Sequence, residues 1–197
     1  MKITAIKQQV KQKDRYSVFV DGKYAFSLSE SALLDQKLML NQELNERRLA
    51  ELKQESTDDK MYGLALRYGA IRQRSEWEIR NYLERKKVSP ALADVILNKL
   101  SKFGYIDDEK FARMWVENRR LLRPTSWRKL QQELRAKHVS NEAMEQALAT
   151  DDIDEQQALR ELIAKKRARY PDNLKLMQYL ARQGFGYEDI KTALAEE

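Results

Sequence analysis

Cysteine is absent from this 197-residue chain, which excludes a disulfide framework, a thiol nucleophile and any zinc site built on thiolates. A reducing compartment fits that absence, and the cytoplasm is the expected location. Histidine occurs once: His138 falls in Lys137-His138-Val139 at an expected helix end, where an imidazole can meet the last carbonyls. General acid–base work would need a partner that the sequence does not supply. No glycine-rich phosphate loop occurs. The first residues, Met1 to Lys7, lack the apolar run of a secretory signal, and no later stretch approaches the roughly 20 apolar residues of a membrane span. The expectation is a non-catalytic binding protein with no cofactor, metal, membrane or small-molecule substrate.

Proline (3) and glycine (6) are also scarce, and apolar residues recur at three and four positions through most of the chain, so helix dominates. The first thirty residues differ. Tyr16, Val18 and Val20 alternate with Ser17 and Phe19; Tyr24, Phe26 and Leu28 alternate with Ala25 and Ser27; Asp21-Gly22 lies between. Two period-2 runs joined by Asp-Gly predict a hairpin, because a type I′ turn needs positive φ at both central positions. Ile3 to Val10 can add a third strand, and helices are expected to start at Ser29 and Asn41. Residues 1–57 therefore read as an α+β headpiece.

A template repeats after residue 58. Ile79, Leu83, Val88, Ala93 and Leu97 are spaced 4, 5, 5 and 4, as are Leu130, Leu134, Val139, Met144 and Leu148, and again Leu176, Leu180, Phe185, Ile190 and Leu194. Two apolar residues four apart share a helical face, the five-residue step breaks phase at a turn, and the last pair belongs to a second helix. Ser89 and Ser140 are candidate N-caps, with Pro90 at a first helical position, and Ser75 to Glu78 reads as a capping box. Each copy follows another apolar-patterned helix, marked by Met61, Leu64 and Ala65, by Phe111, Met114 and Trp115, and by Leu159, Leu162 and Ile163. The expected fold is mainly α: three tandem three-helix repeats (58–106, 107–153, 154–197) in an elongated array, preceded by a small antiparallel sheet with helices. Acidic pairs at Asp58-Asp59, Asp107-Asp108 and Asp151-Asp152 stand at the repeat entrances, where helix capping is preferred over catalysis.

Charge is distributed unevenly. The chain carries 37 Lys+Arg against 31 Asp+Glu, a net charge of +6, and residues 60–105 alone hold 10 basic and 4 acidic side chains. The remaining segments balance. Arg67, Arg72, Arg74, Arg80, Arg85, Lys86 and Lys87 are candidate contacts to an anionic partner, and Arg119, Arg120, Arg123, Arg128 and Lys129 form a second cluster around Pro124-Thr125-Ser126-Trp127. A solvated face with pairs such as Glu76 and Arg80 explains the first excess equally well. Trp77 projects opposite Ile79 and Leu83; packing on a neighbouring helix is the preferred reading, with partner contact as the other.

Arg15–Glu30, Arg74–Leu83 and Phe103–Ala112, the last beginning Phe-Gly-Tyr-Ile-Asp-Asp, together resemble the RecX family of recombination regulators. The resemblance runs through headpiece and repeats. It implies binding to the RecA recombinase and the RecA–DNA filament, with inhibition of ATPase, strand exchange and co-protease activities in recombination, repair and the SOS response. Direct binding of single- or double-stranded DNA by a helical-repeat protein is the alternative. The resemblance transfers no catalytic residues.

Overall fold

The computed structural model describes residues 1–150 and 154–196. The chain divides into two compact units, one formed by residues 1–72 with 81–102 and the other by residues 73–80 with the chain from 103 onward. Among the described residues there are three strands and ten helices, in the expected order of a small sheet followed by helix.

In the first unit, β1 (Ile3–Gln8), β2 (Arg15–Val20) and β3 (Lys23–Ser29) form an antiparallel sheet in the order β1-β2-β3. Asp21 and Gly22 make the turn with φ of 48° and 78°, the double positive φ that the Asp-Gly pair tolerates. Val18, Val20, Phe26 and Leu28 pack with Ile3 and Leu52 in one core. Ser29 caps α1 (Glu30–Asp35) by accepting from Ala32 N. The next helix, α2 (Glu46–Ala70), starts at Asn45, whose side chain accepts from Arg48 N at 2.7 Å. The start expected at Asn41 is corrected: Asn41 has φ of 68°, and its N–H donates to Ile3 O at 2.9 Å, which joins the turn to the sheet.

α2 closes the edge of the sheet. Ser56 Oγ accepts from Ser27 N at 3.3 Å and donates to Ser27 O at 2.6 Å, so one hydroxyl does what a neighbouring strand would do. Asp59 accepts from Ser29 N (2.8 Å) and Ser29 Oγ (2.6 Å) and pairs with Arg15 at 2.8 Å, both side chains being 7% exposed. The Asp58-Asp59 pair is therefore not a helix entrance, contrary to the capping expectation. α2 passes through residues 57 and 58 unbroken, and its residues reach both the headpiece core through Leu52 and the packing of α4 (Pro90–Lys102).

The template positions are buried in all three copies, with Val88, Leu148 and Leu194 half-buried. The five-residue step is now explained. Lys87, His138 and Gly184 have positive φ (60°, 55° and 93°), and the next N–H, on Val88, Val139 or Phe185, returns to the carbonyl of Leu83, Leu134 or Leu180 at 3.1, 3.2 and 3.4 Å. That bond and the apolar pair it brings together form a Schellman ending, which stops α3 (Glu76–Arg85), α6 (Trp127–Arg135) and α9 (Asn173–Arg182). Ser89 and Ser140 then accept from Leu92 N and Ala143 N at the starts of α4 and α7 (Asn141–Ala149), while Gly186 gives α10 (Tyr187–Ala195) no side-chain cap.

The leading helices of the second unit are α5 (Asp108–Leu122) and α8 (Glu155–Arg167). Phe111, Ala112 and Val116 enter one core with α6 and α7, whereas Met114 is 37% exposed. Asp107 caps α5 as expected, through Lys110 N at 2.9 Å. Asp151-Asp152 lies outside the described residues; Asp154 caps α8.

Candidate basic docking surface

The sequence singled out twelve cations and Trp77, and their surroundings sort them. In the first unit Arg67, Arg72, Arg85, Lys86 and Lys87 are all exposed. Arg85 ends α3, and Lys86 and Lys87 form its Schellman turn, so three cations project from one helix end. Lys86 Nζ stands 5.6 Å from the centre of the Tyr82 ring, which stacks on Tyr68 at 4.2 Å and 6°. That stack fixes the base of the cluster while its charges remain at the surface.

In the second unit most of the candidate cations are engaged internally. Arg80 pairs with Glu76 at 3.0 Å, and Arg74, with a side chain 12% exposed, approaches Glu78 at 4.0 Å. Arg119 Nε donates to Glu133 at 2.7 Å and its guanidinium lies over Trp115 at 5.2 Å. Arg120 is a correction to the surface reading: its side chain is 3% exposed, it donates to Thr125 O, and it lies 4.0 Å from Glu155. Burying that guanidinium against a carbonyl and a carboxylate holds the Pro124–Ser126 turn in place. Arg123 and Arg128 are exposed and Lys129 is half-buried. Trp77 stacks on His138, with centroids 4.8 Å apart and an angle of 18°, so these two residues explain each other.

Two serines carry more than the sequence reading gave them, which was a capping box for Ser75 and a place in a turn for Ser126. Ser75 Oγ accepts from Glu78 N at the start of α3 and donates to Lys137 O at 3.1 Å. Ser126 Oγ accepts from Lys129 N at the start of α6 and donates to Gln183 O at 2.6 Å. Lys137 and Gln183 occupy the same template position, immediately before the positive-φ residue. Two further bonds repeat alongside: Glu76 N donates to Asp108 at 2.8 Å, and Trp127 N donates to the Glu155 carboxylate at 3.0 Å. Burial pushes the Asp108 carboxyl above its ordinary range, against the pull of the Glu76 N–H. At the third copy the cap is Asp172, which accepts from Leu174 N and Lys175 N but as a carboxylate cannot donate onward.

Comparison with known proteins gives this arrangement a lineage. The sequence model of the Regulatory protein RecX N-terminal domain matches residues 1–45, and those of the first, second and third three-helix RecX domains match 62–100, 107–148 and 153–194. The Regulatory protein RecX of Listeria innocua is 32% identical across the full chain and 76% of its own length. The chain belongs to the RecX family. RecX of Oceanobacillus iheyensis is 34% identical over 84% of the chain and 63% of its own length. A crystal structure of regulatory protein RecX matches with a TM-score of 0.81 over 98% of both chains, at 27% identity. RecX from Lactobacillus salivarius shares the fold, with a TM-score of 0.61 over 71% of this chain and 95% of its own, at 24% identity. In RecX terms, the exposed Arg85–Lys86–Lys87 cluster belongs to the first three-helix domain and Arg123 and Arg128 to the second. No helix among the described residues is long and apolar enough to cross a membrane.

Proposed function

We propose that this RecX family member regulates the RecA recombinase by binding RecA or the RecA–DNA filament, and that it inhibits ATPase, strand exchange and co-protease activity in recombination, repair and the SOS response. Family membership across headpiece and all three helical domains carries the reading. The docking surface we assign is the end of α3, where Arg85, Lys86 and Lys87 are exposed together. Cations on a rigid helix end suit electrostatic docking to acidic protein surface or phosphate, because their positions are set before the partner arrives.

RecA ATPase on single-stranded DNA tests this directly. Substoichiometric protein is expected to lower the rate, and the triple change Arg85→Glu, Lys86→Glu, Lys87→Glu is expected to weaken inhibition while leaving helical circular dichroism intact. An unchanged rate at every ratio sinks the RecA reading. The concentration of the whole +6 in residues 60–105 favours a second reading, direct nucleic-acid binding. That reading predicts binding to DNA without RecA, with a log–log salt slope of about 0.7 to 0.9 per phosphate neutralised.

A further inference from the structure

Charge is unevenly distributed along residues 1–59. Residues 1–59 hold 10 basic and 10 acidic side chains, yet 1–29 hold 6 basic and 2 acidic, and 30–59 hold 4 basic and 8 acidic. Arg15 is buried against Asp59. The strands and their loops thus expose Lys2, Lys7, Lys11, Lys13 and Lys23 against Asp14 and Asp21. Asp21 is itself engaged, accepting from Lys2 N at 2.8 Å.

One face of the sheet is in the core through Val18, Val20, Phe26 and Leu28. The other face is aromatic and basic. Phe19 and Tyr24, directly paired in the β2–β3 register, meet edge to face with centroids 6.1 Å apart at 81°. Lys7 Nζ stands 5.5 Å from the centre of the Phe19 ring, and Tyr24 is 59% exposed. Ser17, opposite Lys7 in the register, extends this face as a polar surface and accepts from Gln9 Nε2 at 3.1 Å.

The combination selects among anionic partners. Lysines alone would suit an acidic peptide, but such a peptide leaves an exposed tyrosine beside a second ring without a role. A duplex hides its base faces in its own stack. Unpaired bases stack on aromatic side chains while lysines neutralise the phosphates between them, so single strands use both features. We propose that the outer face of β1–β3 binds single-stranded nucleic acid, with a base stacked on Tyr24 and a phosphodiester meeting Lys7. This site is separate from the end of α3 and does not depend on RecA.

The test is fluorescence anisotropy of the full-length protein titrated into a labelled oligo-dT of roughly 20 nucleotides, long enough to cover more than one stacking position. Tyr24→Ala is expected to weaken binding about tenfold, and Tyr24→Phe to restore it, because stacking needs the ring and not the hydroxyl. Lys7→Ala should lower the log–log salt slope by about 0.7, one phosphate's share for a single strand. The triple change at Arg85, Lys86 and Lys87 should leave these responses to Tyr24 and Lys7 in place, which separates this site from the RecA-docking surface. Wild-type affinity in both Tyr24→Ala and Lys7→Ala overturns the proposal. So does displacement of oligo-dT by polyglutamate as readily as by unlabelled oligo-dT, which would mark the lysines as a general anion surface.

Discussion

Replacing Ser126 by alanine separates two roles of one oxygen. Ser126 is fully buried; its hydroxyl caps α6 through Lys129 N and donates to Gln183 O. Ser140 provides the comparison, because it caps α7 in the same way through Ala143 N but is exposed. Losing a serine cap costs about 1 kcal/mol. Leaving the part-buried Gln183 carbonyl without its donor adds at most about 1–3 kcal/mol. Ser126→Ala should therefore cost roughly 2–4 kcal/mol and Ser140→Ala roughly 1 kcal/mol. Urea unfolding followed by far-UV circular dichroism and by tryptophan fluorescence, to which the neighbouring Trp127 contributes, resolves that gap. With an m-value of about 2 kcal/mol per molar, the two midpoints should differ by roughly half to one and a half molar. Ser126→Asp is the sharper variant: it keeps an acceptor for the cap but sets a carboxylate against the Gln183 carbonyl, and should fall below alanine. Equal midpoints for Ser126→Ala and Ser140→Ala, or a Ser126→Asp protein as stable as wild type, would refute the double role.

Three further outcomes follow from the same geometry. Gly184→Ala should be destabilising by about 1–2 kcal/mol or more, since φ is +93° and a Cβ there would lie 2.5 Å from Ser126 Oγ and 3.2 Å from Lys129 N; adding Ser126→Ala removes the Oγ, so the double variant should be less destabilised than the sum in urea melts. Asp59→Ala should cost about 3–5 kcal/mol by stranding the buried Arg15 guanidinium, against under about 0.5 kcal/mol for neighbouring Asp58→Ala, both measured by chemical unfolding. Asp108 keeps its proton to higher pH in the folded chain than in the unfolded one, so its contribution is present below about pH 4 and lost as pH rises through the folded value. Stability of wild type relative to Asp108→Asn should accordingly fall over that rise; a flat difference across it would contradict the assignment.

Local chemistry was legible in the sequence where a few adjacent residues settle it. Asp21-Gly22 needed only its own turn preference, and the spacing of Leu83 and Val88 already contained the Schellman ending, because the residues that touch across that turn are the ones that must be apolar. Asp58-Asp59 looked like its counterpart at Asp107-Asp108, yet Asp59 is defined by Arg15, 44 positions earlier. No helix-periodic pattern announces such a pair. Arg80 with Glu76 could be read at i,i+4, while Arg119 with Glu133 and Arg120 with Thr125 O required the fold. Asn41 and Asn45 are both good caps by composition; the hydrogen bond from Asn41 to the sheet decides between them. Trp77 was half read: helical projection removed it from the core stripe, but only the turn geometry of His138 brings a ring to meet it.

The bonds from Ser75 and Ser126 have acceptors in the main chain, at Lys137 and Gln183. A carbonyl has no identity to mutate. The receiving position is a lysine in one pair and a glutamine in the other, while the giving position is a serine in both. A side-chain change at the receiving position therefore leaves the acceptor in place, whereas the loss of the serine hydroxyl removes both the cap and the donor.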